Sequence, residues 1–582
     1  MYSSIVLATT LLASLSAASI CVEKTTDLPE GWTQLQDTVN PDSTVQFAIA
    51  MRQPEIHKLQ STIFDILPLT SHLSLSATNL LRTPNDDEVS QVMQWLRDAG
   101  IESAQQKNDW INVQTTVRQA EALLQTKLSH YTFGDMAPVL RTTEYHVPDD
   151  LENAIDFIHP LTNFMTPEHT VGSFKRMPAS TNEKREDPPC SQSLTPKCIR
   201  QMYKVNYKAP GGKSDVRFAI AGFLEQYANY ADYEQFAHQL IPEIAATGYN
   251  FSVELVHGGQ NLQDLKKSGI EASLDIQYGM ALAYPAKVTF FATGGRGVQL
   301  DENGKGLPAD TATNEPFLEL LQHFLDMPDS KLPHILSLSY ADDEVSVPRP
   351  YAERVCNMMG MLTGRGMSIF GGTGDGGAMG AQKSTCKTGD GTHKNITMPT
   401  FPASCPWVTS VGATTNADGP PTGAMLSGGG FSRYFKVPDW QKKDTGDYIN
   451  KLNGHLKGYY DPNMRGMPDI SAVGTEFAVI TASVEGLIDG TSASTPVIAS
   501  LIALVNDARF RKGKKSIGWL NPILYSPRVR GLLQDVTTGQ SKSCNFDGFM
   551  PGGWPAKAGW DAMTGLGVPN DFGKLLSALV DA

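Results

Sequence analysis

The stretch Ile488-Asp489-Gly490-Thr491-Ser492-Ala493-Ser494-Thr495-Pro496 leads without a break into Val497-Ile498-Ala499-Ser500-Leu501-Ile502-Ala503-Leu504-Val505. Pro496 suits a first helical turn, and the apolar run behind it has the character of a core helix. A small-residue turn thus places hydroxyls at the mouth of a buried helix, where unpaired backbone N–H groups and the positive end of the helix dipole favour negative charge. Thr491, Ser492 and Ser494 are also good N-cap residues. The segment alone is therefore either a capped helix start or the seat of a nucleophilic serine.

A serine hydroxyl needs a base, a group that orients the base, and an oxyanion stabiliser. His257-Gly258-Gly259 resembles the histidine motif of subtilisins but lacks the Thr-His-x-x-Gly continuation that would set the residue on a helix, so His257 reads as a loop residue. Gly269-Ile270-Glu271-Ala272-Ser273-Leu274-Asp275-Ile276-Gln277-Tyr278 offers more. Its two carboxylates stand at i and i+4, on one face of a helix, among apolar and small neighbours. Burial of such a pair separates the two titrations, whereas a solvated acidic face would only suffer repulsion. Between this pair and the serine, Met367-Ser368-Ile369-Phe370-Gly371-Gly372 reads as a short apolar strand that delivers Asp375 into the turn Thr373-Gly374-Asp375-Gly376-Gly377.

Glu271 with Asp275, then Asp375, then Gly490-Thr491-Ser492 resemble, in their order, the signatures of the sedolisin family of serine-carboxyl peptidases. The likeness covers nearly the whole chain and is nearest to secreted fungal tripeptidyl-peptidases. It extends to Ile335-Leu336-Ser337-Leu338-Ser339-Tyr340, to the stretch 401–413 and to Ser427-Gly428-Gly429-Gly430-Phe431-Ser432. The resemblance implies an α/β, subtilisin-like parallel sheet flanked by helices behind a small α/β prodomain. It also implies Ser492 as nucleophile, Glu271 as general base and acid, Asp275 as the group that orients Glu271, and Asp375 as oxyanion-hole donor, with Ser339 and Tyr340 on the substrate strand. Two stretches depart from the family pattern: Thr373 and Gly376 stand in the turn where serine is more frequent, and Ala341 where glycine is usual. A carboxyl can donate to an oxyanion only while protonated, and Glu271 accepts a proton more easily when ionised, so an acidic working window is expected.

The resemblance further implies one calcium ion, held by the side chains of Asp535 and Asp561 and the main-chain carbonyls of Val536, Lys557 and Gly559. This is an all-oxygen set of the kind that ion prefers. Read without it, both aspartates are turn residues.

The 582 residues carry a formal net charge of −13, without the basic excess that nucleic acid attracts. Residues 1–18 read as a signal peptide: the apolar run Ile5 to Ala13 is too short to span a bilayer, and small residues follow at Ser16-Ala17-Ala18. A secreted, extracellular monomer that acts on peptides or proteins and binds no membrane is the resulting expectation. Residues 19–185 resemble the family's inhibitory prodomain with its linker, including strand-like 45–51 and helical 88–99. Residues 186–582 form the peptidase domain, in which apolar strands such as 216–221 alternate with helical stretches such as 315–327. The polar linker offers Lys184-Arg185 as a processing site, with Lys175-Arg176 as second choice.

Of seven cysteines, Cys21 falls before the linker and six follow it, enough for three disulfides in an oxidising compartment. Cys190 and Cys198 are near enough in sequence to pair; the resemblance implies Cys386 with Cys544; Cys356 and Cys405 stay unassigned, as buried thiols or a third bridge. Asn250-Phe251-Ser252 and Asn395-Ile396-Thr397 are N-glycan sequons. The basic run from Arg509 to Lys515 and the acidic cluster Asp342-Asp343-Glu344 read as solvated loops, the second also as a receiver for a substrate ammonium. Competing readings are an endopeptidase of the same family, an inactive calcium-stabilised homologue, and an alkaline enzyme using His257.

Overall fold

The computed structural model describes residues 19–25, 28, 32–65, 71–133, 138–162, 164, 168–169, 175–176, 189–294, 316–347, 349–381, 386–388 and 392–582. The expected signal segment and the Lys184-Arg185 pair lie outside them.

The N-terminal part is built on a four-stranded antiparallel sheet, beside which a two-stranded and a three-stranded sheet lie in the same part. Strands β1 (Thr44–Met51), β2 (Gln105–Lys107), β3 (Trp110–Thr116) and β4 (Ile155–His159) lie in the order β2-β3-β1-β4. Alternation along β1 sends Val45, Phe47, Ile49 and Met51 into a core shared with Val92 and Leu96 of helix α1 (Asp86–Asp98) and Val117 and Leu124 of α2 (Val117–Leu124). Asn85 caps α1 through Asp87 N, and Thr116 with Gln119 closes a capping box on α2.

Two short strands follow, β5 (Glu168–His169) and β6 (Lys175–Arg176). Each joins a sheet of the larger, C-terminal part.

That part is built on an eight-stranded, mostly parallel sheet. Its strands are β7 (Arg217–Gly222), β8 (Ser252–Val256), β9 (Lys287–Thr293), β10 (Ile335–Leu338), β12 (Ser368–Gly372), β14 (Thr409–Thr415), β15 (Thr422–Gly423) and β16 (Ile470–Val473). The order is β8-β9-β7-β10-β12-β14-β15, with β16 also paired parallel to β14 and only β15 antiparallel. Helix α3 (Ile270–Ala283) makes the crossover from β8 to β9; α4 (Pro316–Asp326) and α5 (Arg349–Gly364) follow β9 and β10, and α6 (Thr491–Arg511) follows β16. Central strands such as β10 and β12 are buried at every residue, as expected when helices cover both faces. Beside the main sheet, β11 (Tyr340–Asp343) lies between β5 and β13 (Thr400–Phe401), and β18 (Val484–Ile488) lies between β6 and β17 (Phe477–Thr481).

The two parts meet on α5. Its buried Arg354 donates to Asp109 Oδ2 and Asp156 Oδ2, both at 2.5 Å and both from the N-terminal part, while Trp110 lies under the guanidinium and Phe157 packs on Tyr351. No helix among the described residues is long and apolar enough to cross a membrane.

Three disulfides join Cys190–Cys198, Cys356–Cys405 and Cys386–Cys544, and Cys21 is free and exposed. Cys356 and Cys405 are therefore bridged, tying α5 to the turn before β14. Of the basic run, Arg511, Lys512 and Lys515 are exposed as expected, while one residue in each charged stretch is not. Arg509 is buried at the end of α6, where it donates to the carbonyls of Leu579, Val580 and Ala582. Glu344 is buried and accepts from Ser432 Oγ and Arg433 N.

Candidate active site

Helix α3 buries every residue from Glu271 to Ala283, so both of its carboxylates lie out of contact with bulk water. Gly269 precedes the helix where a Cβ would fall 2.4 Å from Gln226 Oε1, and that same oxygen accepts from Glu271 N at 3.0 Å. The first turn of α3 is thereby pinned. One turn on, Asp275 Oδ1 accepts from Ser339 Oγ at 2.9 Å, which fixes the second carboxylate from the loop between β10 and β11.

Ser492 is the second residue of α6, fully buried, and α6 packs along α3. Burial drives the Glu271 carboxyl well above the usual range, the charges of Asp275 and Asp375 acting in the same direction and the hydroxyls of Ser339 and Ser492 opposing. Burial likewise raises Asp275, against the opposing bond from Ser339. The two acids, one helical turn apart, titrate as a pair.

Asp375 sits in the turn after β12, which Gly374 makes possible with φ +83° and a close approach to Ala381 Cα. Its Oδ1 accepts from Thr491 N at 2.8 Å and Thr491 Oγ1 at 3.1 Å, while Oδ2 is buried with no protein partner among the described residues. Burial, opposed by the Thr491 bonds and by Lys542, pushes this carboxyl up to about 7. At acid pH it is a neutral acid with one oxygen held and the other free to donate. A hydroxyl at a helix N-terminus, a carboxylate against it, a second carboxylate behind and a protonated carboxyl opposite form a set competent for acyl transfer.

Five of the six residues expected at this centre thus converge through their side chains. Tyr340 differs: its hydroxyl is spent on the main chain of Phe223, donating to the carbonyl at 3.1 Å and accepting from the N–H at 3.0 Å, so only its backbone faces β5. His257 lies in the turn after β8 with φ +49°, away from this set. Thr491, Gln226 and the Ser339–Asp275 bond escaped sequence reasoning, since each joins segments tens to more than a hundred residues apart.

The edge of β11 is occupied by the chain itself. Strand β5 runs antiparallel to β11, with Glu168 opposite Ala341 and His169 opposite Tyr340; β6 pairs antiparallel with β18, where Lys175 Nζ reaches Asp489 Oδ2 at 3.2 Å.

The two side chains among the expected calcium ligands, Asp535 and Asp561, both meet the 557–561 turn. Asp535 Oδ2 accepts from Gly559 N at 2.7 Å and Asp561 Oδ2 from Lys557 N at 3.0 Å, so both carboxylates close on one turn. The carbonyls of Val536, Lys557 and Gly559 accept no hydrogen bond among the described residues. Burial pushes Asp561 up to about 7, an environment that a bound cation would reverse. The donor set fits a hard divalent cation.

Comparison with known proteins bears on this geometry. Residues 30–164 match the family "Pro-kumamolisin, activation domain" and residues 298–533 the "Subtilase family". Tripeptidyl-peptidase sed4 of Aspergillus fumigatus is 37% identical over 97% of this chain and 97% of its own length. The chain belongs to the sedolisin family. Tripeptidyl-peptidase SED3 of Arthroderma otae is 34% identical over 96% of this chain and 95% of its own. Among solved structures, Pseudomonas sedolisin, a serine-carboxyl proteinase, superposes with a TM-score of 0.47 at 19% identity, over 67% of this chain and 99% of that one. This sedolisin is thus a serine peptidase made with an activation domain, on a subtilisin-like fold.

Proposed function

We propose that this sedolisin is a secreted, acid-acting tripeptidyl-peptidase. Ser492 attacks the scissile carbonyl, Glu271 takes the hydroxyl proton and returns it to the leaving amine, Asp275 orients Glu271, and protonated Asp375 donates from Oδ2 to the oxyanion. The observation that carries this reading is the state of Asp375: one oxygen tied to Thr491, the other buried and free, and a carboxyl held neutral until about pH 7. A substrate strand replaces β5 on β11, and the prodomain inhibits by holding β5 and β6 in the cleft. Release of tripeptides rests on the names of the fungal relatives. An apolar run followed by small residues before position 19 supports export.

One calcium ion ties the 557–561 turn to Asp535, a structural role apart from the chemistry. Asn250, exposed beside β8, is the better glycan acceptor. The Asn395 amide is already committed to Asp547 at 3.1 Å.

The test uses one peptide with a free and with an acetylated N-terminus, incubated with processed enzyme at acid pH. Tripeptide release from the free form alone supports the reading, and equal internal cleavage of both replaces it with an endopeptidase.

A further inference from the structure

Lys542 lies far from the catalytic motifs in sequence, yet its ammonium donates to the main-chain carbonyl of Asp375 at 2.9 Å. The backbone around it grips the same turn. Ala378 N donates to Lys542 O at 2.9 Å, Lys542 N donates to Met425 O at 2.8 Å, and a Cβ on Gly377 would fall 2.5 Å from Lys542 N. Glycine at 377, with φ +64°, is what lets the two segments touch. The Lys542 segment is itself anchored, by Cys544 bridged to Cys386 and by Ser541 N and Oγ bonded to the main chain of Trp554. The ammonium is thus delivered by a fixed scaffold to the residue whose side chain faces the oxyanion.

We propose that Lys542 is a positioning residue for the oxyanion carboxyl, clamping the turn through the Asp375 carbonyl and biasing the Asp375 side chain toward ionisation by its charge. The inference rests on the role given to Asp375 above. Charged groups face that carboxyl from three sides. Glu271 lies on α3, Asp489 just before α6, and Lys542 on the opposite loop; the two acids disfavour a second negative charge, and Lys542 alone favours it. Asp489 is partly answered by Lys175 of β6 while the linker is in place. Lys542 then serves two ends: it keeps the turn in register and stops the acid from staying protonated far above the working range, which sets the alkaline edge of activity.

The experiment is a set of kcat/KM–pH profiles of processed enzyme: wild type, Lys542→Met, Lys542→Gln, Lys542→Arg, Asp375→Asn and the double variant Asp375→Asn with Lys542→Met. Loss of the cation should move the alkaline limb upward by on the order of half to one pH unit, with about a tenfold fall at the plateau from the loosened turn. Lys542→Arg should hold the limb in place, and Lys542→Gln should shift it like Lys542→Met, which keeps the test open if one neutral variant does not fold. In the Asp375→Asn background, where no carboxyl remains to titrate, Lys542→Met should leave the shape of the profile unchanged. A limb that stays put in both neutral variants, or moves as far in Lys542→Arg, overturns the inference while leaving Asp375 in its role. A wild-type alkaline limb in Asp375→Asn overturns that role and the inference with it.

Discussion

Two buried carboxylate sites in this protein are furnished in opposite ways. Asp469, fully buried before β16, meets Arg465 Nη2 at 2.6 Å and Ser410 N and Oγ at 2.8 and 2.9 Å on one oxygen, and Tyr525 hydroxyl at 3.0 Å on the other. Its charge is answered by a cation and three further donors. Glu271, Asp275 and Asp375 are also buried, but among the described residues Asp275 and Asp375 receive only hydroxyls and one backbone N–H, and the charges of both act on Glu271. The first site cross-links the strands through Arg465, Ser410 and Tyr525. Burial at the second site raises all three carboxyls, and the proposed role of Asp375, as a protonated donor, uses that property. At the second site no cation among the described residues bonds a carboxyl directly; Lys542, the nearest, bonds the Asp375 main-chain carbonyl instead.

The sharpest separation comes from removing charge at each site. Glu271→Gln deletes the base and should lower kcat by about 10⁴-fold or more, with the folded protein as stable as wild type or more so. Single-turnover hydrolysis and a denaturant melt on the same preparation read both quantities; a clear loss of stability would place Glu271 with Asp469 as a structural anion. Arg465→Met does the converse. It strands the buried Asp469 charge and should cost about 3–5 kcal/mol, read as a lower urea midpoint, with the remaining folded enzyme keeping its pH profile.

Proton linkage sharpens the contrast next. The folded-state pKa of Asp375 is raised to about 7, above its unfolded value. Its contribution to stability is therefore complete below about pH 4 and is lost as pH rises through 7, by on the order of 4 kcal/mol. Glu271 and Asp275 add in the same direction. Processed enzyme should melt at progressively lower temperature from pH 4 to pH 8. Asp375→Asn should lose part of that slope and become the more stable form at neutral pH; parallel melting curves for the two would count against a buried, protonated Asp375.

The smallest effect belongs to the proposed calcium turn. Chelation should lower stability by about 2–3 kcal/mol, and Asp561→Ala should match it without chelator. A melting temperature indifferent to both leaves Asp535 and Asp561 as turn residues.

Much of this was legible before any coordinates, because the reactive residues sit inside strong local patterns. Ser492 opens an apolar helix, Glu271 and Asp275 share a helical face, and Asp375 ends a short buried strand in glycines; each pattern places one side chain. What joins the places was not legible. The bonds from Ser339 to Asp275, Thr491 to Asp375 and Lys542 to the Asp375 carbonyl connect segments whose meeting depends on sheet order. The same limit explains Arg509 and Glu344, whose charges suggested solvent exposure. Both are buried against carbonyls, hydroxyls and N–H groups supplied from distant parts of the chain. Cys356 and Cys405 carried no spacing signal, since their pairing needs α5 to lie against the turn before β14.

In the proposed mechanism Asp375 is a neutral acid in the working enzyme. Infrared difference spectroscopy of wild type against Asp375→Asn, titrated from pH 4 to pH 9, isolates the carboxylic C=O stretch of that one side chain. The account predicts a protonated band that persists through acid pH and disappears with a midpoint at about 7. A band already gone by pH 5, with a midpoint at about 4 as for a solvated aspartate, would contradict it.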